Sequence, residues 1–132
     1  MRLSEIFKNT TYGDALFSEA EVTAIESRIV TRDIKGVDTP YTTCLVRNKE
    51  IKLTPEEVVR QLYAYRLLNS YGYTTDRVKF EYEVTFGREK KRADVVIVDK
   101  DRPDTAYIII EVKKPKQKDG KEQLKSYTNA TG

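Results

Sequence analysis

Two acids stand where their neighbours are aliphatic. Asp94 opens the run Ala93-Asp94-Val95-Val96-Ile97-Val98, and Glu111 follows Tyr107-Ile108-Ile109-Ile110. A carboxylate beside such a core needs a partner or a cation. Lys113 lies two residues beyond Glu111, so strand alternation puts both on one face, roughly 6–7 Å apart along the chain. With Asp94 on a neighbouring strand, the set comprises two acids and one ammonium. That set suits Mg²⁺-dependent hydrolysis of a phosphodiester. Mg²⁺ takes oxygen ligands, keeps several waters and is held by one or two carboxylates plus substrate phosphate. It would polarise the phosphoryl oxygen and generate hydroxide from bound water. Lys113 would position the attacking water or neutralise charge developing on the phosphate. The same spacing also fits a surface ion pair between Glu111 and Lys113, with Asp94 bonded near a strand end. Acid-x-Lys patterns arise readily in a chain with 34% charged residues, so spacing alone leaves both readings open.

Composition narrows the chemistry by what is missing. Among 132 residues there is no His and no Trp, and Cys44 is the single cysteine. That excludes a Ser-His-Asp triad, a histidine general base and the H-E-x-x-H zinc site. One cysteine makes neither an intrachain disulfide nor a multi-cysteine zinc site, and it suits a reducing cytoplasm with Cys44 as a small buried hydrophobe. The start, Met1-Arg2-Leu3-Ser4-Glu5, has no apolar secretory core, and no stretch approaches the ~20 apolar residues of a membrane span. No G-x-x-x-x-G-K-[ST] loop occurs, so an ATP-driven motor would lie elsewhere. A net charge of +3 neither demands nor opposes a nucleic-acid partner.

The elements that must position the acids are legible in part. Residues 1–24 are ambiguous, apart from the capping-box pattern Ser18-Glu19-Ala20-Glu21, which predicts a short helix from Glu19 to about Ala24. β-prone runs over 25–32 and 41–46, with turn residues over 35–40, suggest a hairpin. Thr54 as N-cap and Pro55 at the first helical position open a helix over 55–71 that buries Val58, Leu62, Tyr65 and Leu68 and stops at Gly72. Val78 to Phe86 alternates as a half-buried strand with its even-numbered residues on one face, and 93–98 and 106–112 read as central strands of an antiparallel meander. Lys118 to Ala130 reads as a polar helix, on which Gln123 and Tyr127, four apart, share a face.

Taken together, Thr54-Pro55-Glu56-Glu57-Val58-Val59-Arg60-Gln61, Tyr71-Gly72-Tyr73, Lys91-Arg92-Ala93-Asp94-Val95-Val96-Ile97, Ile110-Glu111-Val112-Lys113 and Gln123-Leu124-Lys125-Ser126-Tyr127 resemble, in order, the PD-(D/E)xK nuclease superfamily. Within it they are most similar to the nuclease domain at the N-terminus of type I restriction enzyme R subunits; related domains occur beside adenine-N6 DNA methylases. The resemblance covers about 54–130 and has Ala93 where the motif name has Pro. It implies an α/β, restriction-endonuclease-like core at 51–132: helix, three-stranded antiparallel meander, then helix. The sheet would be mixed, with its last strand missing from this chain. Residues 1–50 would form an N-terminal extension. Asp94 and Glu111 would be metal ligands for Mg²⁺ or Mn²⁺, and Lys113 the catalytic lysine. Gln123 and Tyr127 would support the active site and contact DNA. Glu57, or Glu56 beside it, would be the first-helix glutamate that helps bind metal, with the capping box as the other use of Glu57. The implied activity is endonucleolytic hydrolysis of double-stranded DNA in a restriction-modification system. The implied partners are other restriction-modification subunits, or a downstream motor or methylase domain. The rival reading is a non-catalytic DNA-binding or subunit-docking module that keeps the nuclease fold.

Basic residues flank the proposed site: Arg88, Lys90, Lys91 and Arg92 before Asp94, and Lys114, Lys116, Lys118 and Lys121 after Lys113. They read either as a rim that tracks phosphates, with Arg92, Lys114 and Lys116 nearest the acids, or as ordinary solvated turns.

Overall fold

The computed structural model describes residues 1–113 and 123–128. A short helix α1 (Leu3–Phe7) precedes α2 (Glu19–Glu26), which begins at the expected capping box. Ser18 Oγ accepts the Glu21 N–H at 3.2 Å, and Glu21 Oε1 accepts the Ser18 N–H at 2.8 Å. The helix runs past its expected end, so Ile25, read from sequence as the start of a strand, is a buried helical residue. The hairpin forms later, from β1 (Val30–Ile34) and β2 (Val37–Thr43). Its turn is only Lys35-Gly36, at φ 54° and 80°, the double positive φ that matches the twist of a two-residue hairpin. Asp38, Thr39 and Pro40 therefore lie inside β2, and β3 (Glu50–Lys52) extends the sheet in the order β1-β2-β3.

α3 (Pro55–Asn69) is capped by Thr54 Oγ1, which accepts the Glu57 N–H at 3.2 Å. Past its end, the Tyr73 N–H reaches Leu67 O at 3.1 Å, and Gly72 takes φ 72°, which an L side chain tolerates poorly. The helix stops two residues before the expected boundary. Its buried stripe is Val58, Val59, Gln61, Leu62, Ala64 and Leu67, while Tyr65 and Leu68 are half-buried.

The meander forms as β4 (Val78–Phe86), β5 (Glu89–Val98) and β6 (Ala106–Lys113), all antiparallel. One expectation fails. Gln123–Thr128 is a strand, β7, antiparallel to β6 from Lys113↔Gln123 to Ile108↔Thr128. Leu, Ser, Tyr and Thr accommodate a strand as well as a helix surface, and pairing with β6 satisfies peptide groups along an apolar strand edge. The sheet runs β4-β5-β6-β7 and is wholly antiparallel among the described residues, not mixed. The rest of the expected helix, 118–122 and 129–130, lies outside the described residues.

α3 separates two parts of the core. One joins it to α1, α2 and Val112 through Leu3, Phe7, Ile25, Val58 and Leu62; the other joins Ala64 and Leu67 to Val78, Phe80, Val95, Ile97 and Ile110 of the sheet. A third cluster holds Val84, Ala93, Val96, Val98, Ala106 and Ile109, with Tyr82 against it. Phe80 and Tyr82, expected on one face, thus fall in different clusters. The switch falls at Glu81, whose φ of 50° is a left-handed conformation in mid-strand.

Candidate active site

Three elements meet around Asp94. On β5 it is half-buried, and its Oδ2 accepts the Val112 N–H of β6 at 2.7 Å. That bond fastens the carboxylate to the peptide joining Glu111 to Val112. The Val95↔Ile110 pair leaves Asp94 and Glu111 as the next rung of the ladder. The charge of Asp94 is also felt in the first turns of α3. Glu56, at the exposed end of that helix, has its pKa raised, first by loss of solvent around the carboxyl and then by the negative charge of Asp94. Burial works against the charge of Arg60. The Glu57 carboxylate, with Glu81 and Asp94 beyond it, nevertheless holds that guanidinium protonated more firmly than usual.

Glu57 and Glu56 have separate tasks. Both Glu57 oxygens bond the Arg60 guanidinium, and Oε2 also accepts from Gln61 Nε2 at 3.1 Å. The Glu57 carboxylate therefore does not close a capping box, and its charge is neutralised within α3. Among the described residues Glu56 makes no such pair, and its carboxyl lies within the influence of Asp94. The Glu57–Arg60 spacing of three residues was a signal available in the sequence. Nothing in the sequence marked Glu81.

Glu111 is buried, and its Oε1 lies 3.0 Å from Lys91 Nζ, a residue of β5 that is itself largely exposed. The buried acid thus has an ammonium partner from the neighbouring strand. On β6, Glu111 alternates with Ile110 and Val112, which pack toward α3, whereas Asp94 acts on α3 itself. The backbone brings the two acids together while their carboxylates have different partners. Among the described residues, no three Asp, Glu, Cys or His side chains are grouped to hold a metal ion.

The other expected residues are placed by backbone only or lie beyond description. Lys113 ends β6, opposite Gln123, and Tyr127 is opposite Ile109, so the Gln-x-x-x-Tyr pair lies along a strand, not on one helical turn. Arg92 is exposed on β5, across from Glu83, near the Gly87-Arg88 turn. Lys114, Lys116, Lys118 and Lys121 lie outside the described residues. No described helix is long and apolar enough to cross a membrane.

Fold and site define a mixed α/β domain in which neighbouring strands of an antiparallel sheet carry two acids, Asp94 acting on the first turns of a helix and Glu111 on the opposite face, paired with Lys91. The chain belongs to the family described as type I restriction enzyme R protein N terminus, whose model matches residues 55–132, and this ties it to restriction-modification enzymes. No curated protein and no solved structure matches the chain. The matched span begins at the first residue of α3 and takes in Asp94, Glu111, Lys113, Gln123 and Tyr127.

Proposed function

We propose that this chain carries the metal-dependent endonuclease core of a restriction-modification enzyme, of restriction-endonuclease-like PD-(D/E)xK type, acting on double-stranded DNA in the cytoplasm. The observation that carries the reading is the Asp94 Oδ2···H–N Val112 bond. It ties the acid of β5 to the Glu-x-Lys segment of β6, while the charge of that acid reaches Glu56. Asp94 and Glu111, with Glu56 as the first-turn acid, are the proposed holders of Mg²⁺ or Mn²⁺, and binding would require the Glu111 carboxylate to leave Lys91 and turn toward the α3 face. So small an oxygen set fits Mg²⁺, which keeps most of its waters. When bound, the ion would polarise the phosphoryl oxygen and acidify an attacking water.

The chain's own groups do the rest. Lys113 is the proposed ammonium for charge developing on the phosphate. Arg92 and the lysines after Lys113 are the proposed phosphate rim, which holds DNA without reading its sequence. Lys91 neutralises Glu111, and its exposed side chain has room to swing away. Other restriction-modification subunits, or a motor or methylase domain, are the proposed protein partners. The test is cleavage of supercoiled plasmid with Mg²⁺ or Mn²⁺ against EDTA. Asp94→Ala and Lys113→Ala should each slow it by on the order of 10²–10³-fold. Variants that cut as fast as wild type would overturn the site.

A second reading is favoured by one observation, the lack of a three-acid metal group among the described residues. In it the domain is a non-catalytic DNA-binding or subunit-docking module, which would bind DNA in EDTA and never cut it.

A further inference from the structure

We infer that Arg47 is a positioning residue for Asp94, acting through the left-handed backbone at Glu81. The catalytic consequence rests on the nuclease reading above; the geometry does not. Arg47 precedes the span matched by the family, so the inference gives the N-terminal region a part in the site.

The path starts inside α3. Gln61 is fully buried, and its amide holds the preceding loop: Nε2 donates to Cys44 Sγ at 3.3 Å, and Oε1 accepts the Leu45 N–H at 3.1 Å. The loop closes on itself, with the Asn48 N–H on Cys44 O at 3.0 Å and the Arg47 N–H on Cys44 Sγ at 3.5 Å. Arg47 is thereby aimed at β4. Its Nη2 donates to Phe80 O at 3.0 Å and lies 3.6 Å from Glu81 Oε2. The Phe80 ring is flanked by guanidinium groups, Arg60 at 4.8 Å and Arg47 at 6.0 Å from its centroid.

Phe80 O belongs to the peptide whose rotation sets φ at Glu81. A glutamate at φ 50° crowds its Cβ against the backbone, and such a residue persists only where its surroundings hold it. Arg47 grips that peptide by its carbonyl and the same residue by its carboxylate. Phe80↔Val95 and Tyr82↔Ala93 bracket Glu81 on one strand and Asp94 on the other. Without the clamp, Glu81 relaxes toward an ordinary extended conformation, the ladder closes regularly across this rung, and Asp94 loses its hold on the Val112 N–H.

The experiment compares wild type, R47M, E81G and R47M/E81G in the full chain, by amide hydrogen exchange and by plasmid cleavage. R47M should speed exchange at the Val112 amide by about tenfold while leaving Leu62, in the middle of α3, unchanged. It should lower kcat by roughly tenfold with KM nearly constant. R47M/E81G should recover both, because glycine takes a positive φ unaided. Val112 protection that R47M leaves intact, or that the double variant does not restore, overturns the inference. So does an R47M protein that cuts at the wild-type rate. A wild type that cuts nothing with either metal sinks the nuclease reading, and the exchange measurements still decide whether Arg47 positions Asp94.

Discussion

Two glutamates lie at opposite ends of α3, Glu56 within its first turn and Glu21 of α2 beside its last, and their surroundings treat them in opposite ways. Near the C-terminal end, Glu21 of α2 accepts Arg66 Nε at 2.9 Å and Nη2 at 2.8 Å, besides its capping bond. Arg66 also donates to Leu16 O at 2.8 Å and stands over the Phe17 ring. The Arg66 bond is the main reason the Glu21 pKa falls to about 2. At the N-terminal end, the Glu56 pKa moves up, first through loss of solvent around its carboxyl and then through the negative charge of Asp94. A carboxylate whose bonds are all met locks two helices together. A carboxylate near a like charge leaves an interaction that a cation or a proton can relieve, which is what the proposed metal site would use.

The sharpest way to break this contrast is at the satisfied end. Arg66→Met should cost about 2 kcal/mol, the scale of hydrogen bonds to a charged group. Calorimetry should then show a fall in Tm of roughly 6–10 °C for a chain of this length. DNA cleavage below the new Tm should be unaffected; a large loss of cleavage with little loss of Tm would reverse the roles of the two ends.

A smaller effect is expected at Glu111. Lys91→Met removes its ion pair with the buried acid and should lower stability by about 1 kcal/mol in EDTA, since the lysine is largely exposed. Titrating Mg²⁺ should then raise Tm by more than in wild type, because the ion no longer competes with the ammonium. Equal metal shifts in the two proteins would separate Glu111 from the metal.

The smallest effect is the pH dependence, and its signs differ between the ends. The folded pKa of Glu21 lies below its ordinary value of 4.5, so its contribution is complete above pH 4.5 and is lost as pH falls toward 2. The folded pKa of Glu56 lies above 4.5, so its contribution is present below 4.5 and is lost as pH rises through the raised value. Glu21→Gln should flatten the acid limb of a Tm–pH curve. Glu56→Gln should flatten, slightly, the limb above it. The reverse assignment would undo the comparison.

Much of the frame was legible because it is local. Thr54 and Pro55 announce α3, Ser18 and Glu21 announce α2, and the aliphatic runs around Asp94 and Glu111 mark their strands. Gln123–Thr128 was misread because four-residue spacing fits a helical face, while the edge of β6, which favours a strand, is information that only the assembled sheet contains. The short Lys35-Gly36 turn was hidden by Pro40, which looks like a turn residue but sits within β2. At the site, Asp94 and Glu111 could be found from charge set among aliphatics. The partnership of Lys91 with Glu111, the choice of Glu56 over Glu57 as the acid under the influence of Asp94, and the kink at Glu81 all depend on contacts between elements far apart in the chain.

The hairpin of β1 and β2 has a consequence for handling the protein. β1 is solvent-exposed along its whole length and, among the described residues, borders its sheet with only β2 beside it. Val30 and Ile34 present bare hydrocarbon there, interrupted by the charges of Arg32 and Asp33, with Val37 of β2 exposed beside Ile34. A rim of this kind accepts another extended chain, and with Arg32 paired to Glu50 and opposed by Asp33 the rim has little net charge to hold copies apart. Concentrated stocks should therefore cloud, and Ile34→Lys, which gives that edge a net charge, should keep them clear.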